Sequence, residues 1–447
     1  MRQAILSGPV NRTLYSLTQP MVLGIMAVFF FNMVDTWFIS LLGTESLAAV
    51  GFTMPVTMLV MNLAIGLGIA MSALIARAVG ADDNLQAQRA AMAGLLLSLL
   101  LGVVIAVAGW LSNDALFRLL GAGDELLPEI RRYMVFWWPG AIVLLLMMMQ
   151  NSAMRATGNT RLPSQMMMVA AVLNALLDPL LIFGWGPLPG MGIGGAALAS
   201  ALCWILVLLV IMTRQRREGY ISRHGMGWHE VRVLWKRMLQ LGVPAMVTNM
   251  MVPVAGAILL VMVAPLGPEA VAGFGVGMRL EPFAIVVILA LTSTLPVFVA
   301  QNHAAAQYDR IWQALYSSFR FLALWQGAVC LIFWVTGHWL AQLFSAEPAV
   351  QQSIVEYIRW LPLGYAGMGI VLCVNSALNS LQRTQTSMVI NFVRLFAFYV
   401  PGAFIGAEMG GYPGLLIGAA AGNLLMGALL LWRVRHYQLQ MATAEVN

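Results

Sequence analysis

Asn151-Ser152-Ala153 recurs 224 residues later as Asn375-Ser376-Ala377, and that single shift aligns the two halves of the chain almost end to end. It takes Leu17 and Pro20 to Leu241 and Pro244, and Gly43, Glu45, Ala48 and Gly51 to Gly267, Glu269, Ala272 and Gly275. Tyr133 falls on Tyr357, Gly140 on Gly364, Pro189-Gly190 on Pro413-Gly414 and Gly194 on Gly418. A register that holds over such a length predicts a duplicated architecture. The exceptions are polar: Asp35 falls on Leu259, Asn174 on Phe398 and Asp178 on Gly402. The acidic chemistry therefore belongs to one half.

What is duplicated follows from the apolar runs. The chain is 60% hydrophobic and 9% charged over 447 residues, and a segment in lipid must satisfy its own backbone, which helices of this length do. The expected fold is an all-α integral membrane protein. Runs of about 20 residues, enough for roughly 30 Å of hydrocarbon, lie near 14–40, 50–76, 89–110, 133–154, 162–184 and 191–213. Six more lie near 239–264, 271–300, 314–336, 357–378, 385–406 and 413–433. Twelve transmembrane helices as two six-helix repeats result. An even number per half sets the repeats parallel, about an axis along the membrane normal. The expected organisation is an N-lobe at 1–213 (helices 1–6), a basic linker at 214–237 and a C-lobe at 238–447 (helices 7–12), arranged around a central cavity.

Positive loop charge sets orientation. Arg214, Arg216, Arg217, Arg223, Arg232, Lys236 and Arg237 crowd into the linker, and Arg2, Arg12, Arg77, Arg89, Arg155, Arg161, Arg310, Arg383, Arg433 and Arg435 fall on the same face. The opposite connections carry mainly Glu45, Glu269, Glu347 and Glu408, with Arg118, Arg131 and Arg132 blurring the contrast in one of them. Both termini are expected on the cytoplasmic side of a bacterial-type inner membrane. The formal net charge of +6 then reflects topology and contact with anionic lipid, not nucleic acid. The first apolar run is too long for a cleaved signal, so a retained first helix is expected.

No Walker A loop, HExxH, GxSxG or Cys/His metal spacing occurs, which argues against an enzyme and against a nucleotide-driven pump. Cys203, Cys330 and Cys373 lie inside predicted spans and imply no disulfide framework. No cofactor or bound metal is expected beyond a coupling ion, H+ or Na+.

Ionisable residues inside spans are the functional candidates, because a charge at mid-bilayer costs about 2.5–3.5 kcal/mol even on the lenient insertion scale. Asp35 lies in the latter half of the first span. Asp178 stands four residues after Asn174, so the two share a helix face, and Pro179 weakens the helix immediately beyond. Two carboxyls facing one cavity in low dielectric cannot both stay ionised comfortably, which makes the pair a proton-responsive switch. A sodium site would use the same oxygens, with Asn174 as a neutral ligand. Pro20, fifteen residues before Asp35, permits the first helix to bend when Asp35 is protonated; it also suits a static kink, since Pro244 repeats it without the acid.

Gly-Thr-Glu-Ser-Leu-Ala-Ala-Val-Gly at 43–51 and the stretch NSAMRATGNT from Asn151 to Thr160, within two six-helix repeats, resemble the multidrug and toxic compound extrusion (MATE) family over nearly the whole chain. Asp35 in the first helix and the Asn174/Asp178 pair in the fifth resemble the DinF-type branch, in which Pro20 matches the bending proline. A further polar residue of that pattern falls near Ala196, so this contact is expected to be missing. The NorM-type acids of helices seven and ten have no counterpart. The resemblance implies an antiporter that exports organic, often cationic and aromatic, compounds in exchange for protons or sodium by rocking two lobes. A multi-pass protein acting as a monomer, with no nucleic-acid partner, is expected.

Other residues have two readings. Met54, Met58, Met61 and Met166 to Met168 offer an adaptable wall for varied ligands, or apolar filler. Arg279 and Glu281, beside Pro282, line the cavity, latch the lobes or snorkel to the interface. Arg394 lies in the eleventh span with no acid within four residues, and calls for a partner on another helix or an anionic group of a substrate. A lipid-linked oligosaccharide flippase would need a basic cavity, which Arg279 and Arg394 begin to supply and the acid pair opposes. A membrane enzyme or scaffold would need a polar cluster at one surface, and the sequence has none.

Overall fold

The structure, a computed structural model, describes residues 2–185, 188–217, 219 and 226–444. Arg223 and His224 of the basic segment lie outside the described residues. Apolar runs with no water to hydrogen-bond their backbone become helices. Among the described residues, eleven helices are long and apolar enough to cross a membrane. The last, Thr384–His436, holds two crossings, because Gly410 (φ −149°, ψ 21°) and Gly411 (φ 60°, ψ −139°) leave helical geometry between them. With that break counted, the expected twelve are present.

The chain forms two compact units, Met1–Leu6 with Gln19–Met246, and Ser7–Thr18 with Val247–Asn447. The leading helix α1 (Arg2–Ser7) precedes α2 (Val10–Ser40), whose first turns belong to the second unit and whose remainder belongs to the first. The first unit continues through α3 (Thr44–Gly80), α4 (Asn84–Leu119), α5 (Leu127–Ala156) and α6 (Arg161–Ile182). A short antiparallel pair, β1 (Gly184–Trp185) with β2 (Leu188–Pro189), leads into α7 (Ile193–Arg217). Then α8 (Trp228–Val263) passes from the first unit to the second between Met246 and Val247. Helices thus enter the 214–237 segment from both ends, and the changeovers fall within α2 and α8. Pro20 and Pro244, related by the repeat, stand beside those two changeovers.

The second unit breaks its helices more often. The expected span at 271–300 is two helices, α9 (Pro268–Ala284) and α10 (Val286–Ala304), parted at Ile285 shortly after Pro282. Then come α11 (Tyr308–Phe344), α12 (Pro348–Trp360), a 3-10 turn at Leu361–Gly364 around Pro362, α13 (Tyr365–Ser380) and α14 (Thr384–Phe392). A π-helix at Val393–Tyr399 joins α14 to α15 (Val400–Ala444).

The repeat is legible in backbone angles. Gly43 (φ 109°) and Gly267 (φ 116°) open α3 and α9; Asp82 (φ 63°) pairs with Ala306 (φ 57°), and Gly158 (φ 95°) with Gln382 (φ 63°). Positive φ at non-glycine residues costs energy, so its recurrence marks turns that the architecture requires. The arginines that blurred the charge pattern are balanced locally: Arg118 pairs with Asp124 at 2.9 Å, Arg131 with Asp114 and Arg132 with Glu129. All three cysteines are free and buried.

Candidate functional site

The first unit brings together Asp35 on α2, Asn174 and Asp178 on α6 and Tyr133 on α5. Asp178 is completely buried and Asn174 nearly so. The Asp35 and Asp178 carboxyls lie within side-chain hydrogen-bonding reach of each other. No donor of the described residues reaches Asp35 Oδ1. Two carboxyls hydrogen-bond only when one carries a proton, so this geometry suits a single shared proton. Tyr133 lies within electrostatic range of both acids.

Asn174 links Asp178 on α6 to Ser200 on α7. With its amide nitrogen toward Asp178, it donates to both carboxylate oxygens at 3.1 and 2.6 Å, while its oxygen accepts from the Ser200 hydroxyl at 3.3 Å and the Ser200 backbone N–H at 3.2 Å. Ser200 and Cys203 on α7 correct one expectation. Ala196 is apolar, but Ser200, one turn further along the same face, supplies the polar contact, and the Cys203 thiol lies beside Asn174. Tyr133 was visible in the sequence only as a repeated residue. Ser200 carried a signal in its four-residue offset from Ala196.

Pro20 sits inside α2, near the changeover between units. The Ser164 hydroxyl on α6 donates to the Pro20 carbonyl oxygen. One turn on, a Cβ at Gly24 would meet Ser164 Oγ at 2.9 Å and Ser164 Cα at 3.1 Å, so only glycine permits the close approach. Within the second unit the opening turns of α2 are tied by Thr18 to Thr294 at 2.8 Å.

The second-unit candidates separate. Arg279 is exposed, whereas Arg394 is 2% exposed. Glu281 accepts from the Tyr357 hydroxyl at 3.2 Å, and Tyr365, Tyr399 and Arg394 lie within its electrostatic range. Tyr357 is the repeat partner of Tyr133, so each half sets a tyrosine against an acid. Met54, Met58 and Met61 on α3 are about half exposed. Among the described residues no group of three or more His, Cys, Asp or Glu could hold a metal ion.

The MatE family model matches residues 20–180 and 244–405, one copy in each half. The FAD transporter of Shewanella oneidensis is 38% identical over 432 residues, covering 95% of this chain and 94% of that protein. The probable multidrug resistance protein NorM of Deinococcus radiodurans is 28% identical over 440 residues, 94% of each. Among solved structures, the Vibrio cholerae MATE transporter VcmN in the bent form matches at a TM-score of 0.90 and 30% identity, over 97% of both chains.

Proposed function

This chain belongs to the MatE family and is a multi-pass membrane transporter, not an enzyme; we propose that it is a proton-coupled exporter of organic small molecules, driven by protonation of the Asp35–Asp178 pair. The observation that carries this reading is the approach of the buried Asp178 carboxyl and the half-buried Asp35 carboxyl on different helices, close enough to share a proton. In a low-dielectric site two adjacent negative charges repel strongly, so the pair takes up a proton and returns it when the surroundings change. Uptake at Asp178 removes the charge to which the Asn174 amide donates and so loosens the Asp178–Asn174–Ser200 link between α6 and α7. Uptake at Asp35 alters the grip on α2, which then bends at Pro20, where the helix lacks an internal hydrogen bond. Alternating access then releases substrate outward.

Substrates are organic, often cationic and aromatic, compounds, a reading in keeping with relatives named as multidrug resistance proteins. The 38% identity to a protein named an FAD transporter extends the class to flavin nucleotides, which are aromatic and carry phosphate. Exposed Met54, Met58 and Met61 give apolar, deformable contact. The working unit is one chain in the inner membrane, both termini cytoplasmic, since one duplicated sequence supplies both lobes. The deciding measurement is efflux from proteoliposomes under an imposed pH gradient, with and without sodium, for wild type and Asp35→Asn. Proton-driven efflux abolished by the substitution is expected. Efflux that follows sodium alone would replace the ion, and no efflux of any organic compound by folded protein would turn the reading to a flippase.

A further inference from the structure

The coupling reading leaves a buried charge of the second unit unused. Arg394 lies on the π-helix Val393–Tyr399, a geometry that recurs at functional sites because it spreads side chains out of the ordinary helical rows. Its guanidinium is almost wholly buried, yet its hydrogen bonds go to neutral oxygens. Nε donates to Asn391 Oδ1 at 3.2 Å and Nη1 to Asn423 Oδ1 at 3.2 Å. Asn391 is itself fixed, donating to the Thr248 carbonyl at 3.0 Å. Among the described residues Arg394 makes no ion pair. The acid in its electrostatic range is Glu281 on α9, which accepts its hydrogen bond from Tyr357 instead. Tyr365 on α13 and Tyr399 on the π-helix complete the set around that carboxylate.

A buried arginine that served structure alone would be expected to clasp a carboxylate in fork-to-fork contact. Here the cation is positioned by two amides and balanced at a distance, so its Nη2 edge is not committed to an acid. Guanidinium presents paired N–H groups that match phosphate oxygens. The Tyr357 hydroxyl, which donates to Glu281, and the Tyr365 hydroxyl, buried with no hydrogen-bond partner among the described residues, set donors beside that carboxylate. Glu281 balances the charge of Arg394 without a direct ion pair.

We propose that Arg394 recognises the phosphate of aromatic, phosphate-bearing substrates, and that Glu281 is the resident counter-ion which that phosphate displaces. This rests on the exporter reading with flavin nucleotides in its substrate class. Because the carboxylate is bonded to Tyr357 and not to Arg394, exchange with an entering phosphate breaks no direct ion pair. Riboflavin shares the ring of FMN and lacks the phosphate, so their ratio isolates the contribution of Arg394.

The experiment compares efflux of FMN, FAD, riboflavin and ethidium from proteoliposomes holding wild type, Arg394→Gln, Arg394→Lys and Glu281→Gln. Losing a charge-assisted contact lowers FMN efflux relative to riboflavin efflux by about 10- to 100-fold in Arg394→Gln. Arg394→Lys keeps the charge without the fork and gives an intermediate ratio. Glu281→Gln removes the competitor and lowers the KM for FMN several-fold. An unchanged FMN-to-riboflavin ratio in both arginine variants, with FMN moved by wild type, overturns the inference while the exporter stands. Ethidium efflux by wild type without either flavin nucleotide overturns the substrate class itself. Should Arg394→Gln fail to fold, the ratio in Arg394→Lys and FMN binding by Glu281→Gln, read from flavin fluorescence in detergent, decide between the same two results.

Discussion

Asn174 and Asp178 stand one helical turn apart on α6, and the amide nitrogen of the first reaches both carboxylate oxygens of the second, at 3.1 and 2.6 Å. The amide takes the place of solvent for a carboxyl that is completely buried. Asn174→Ala takes away hydrogen bonds to a charged group, each worth about 1.5–3 kcal/mol. Under a fixed pH gradient, efflux by that variant is expected to fall about 10- to 100-fold with the protein still folded by size-exclusion chromatography. Wild-type rates in Asn174→Ala would show that the amide is dispensable to coupling.

Tight packing of α2 on α6 makes a second test. At Gly24 a methyl group would stand 2.9 Å from Ser164 Oγ and 3.1 Å from Ser164 Cα, and the backbone cannot step aside as a flexible side chain can. Gly24→Ala is expected to destabilise the first unit by about 1–3 kcal/mol and to slow efflux. Ser164→Ala relieves the tightest of those contacts and drops the bond to the Pro20 carbonyl. The double variant Gly24→Ala/Ser164→Ala should therefore recover stability relative to Gly24→Ala alone, measured by thermal unfolding in detergent. Simple additivity of the two losses would disprove a shared contact.

The lipid-spanning helices, their number and their duplication were legible because each follows from composition and a fixed shift. Asp35, Asn174 and Asp178 were legible for the same reason that made them costly: polar groups stand out against an apolar run. Tyr133 and Ser200 were not, since tyrosine and serine are ordinary in spans and only the meeting of α5, α6 and α7 gives them a role. Glu281 and Arg394 are 113 residues apart in a chain whose local pattern says nothing of their neighbours. The break at Ile285 and the π-turn after Val393 depend on how Pro282 and the surrounding helices pack, so a hydropathy run reads straight through them.

A third prediction concerns the break in α15. Gly402 and Gly406 press against Gly418 and Gly414 across the turn at Gly410–Gly411, so closely that a Cβ at Gly406 would lie 2.0 Å from the Gly414 carbonyl oxygen. Both partners are backbone, and neither helix can yield without parting the hairpin. Gly406→Ala is expected to destabilise by about 3 kcal/mol or more, seen as loss of monodisperse protein on mild heating in detergent. Gly275→Ala, where added Cβ meets nothing within 4 Å, is the control expected to stay near wild type.

The last prediction uses the repeat as its own reference. Asp82 and Ala306 occupy matching turns with φ of 63° and 57°, and the hydrogen bonds around them match as well, Asp83 N–H to the Ala78 carbonyl at 2.9 Å and Gln307 N–H to the Asn302 carbonyl at 2.8 Å. Aspartate tolerates the left-handed region through local bonding of its short side chain, but alanine has only its Cβ to place against the backbone. Glycine at that position carries no such penalty and keeps the same turn. Ala306→Gly is therefore expected to raise stability by about 0.5–1 kcal/mol, whereas Ala305→Gly, at a neighbouring residue with φ of −91°, should leave it unchanged or lower. Thermal unfolding of the two variants side by side gives the answer, and equal shifts would mean that the turn at 306 relaxes in the folded protein.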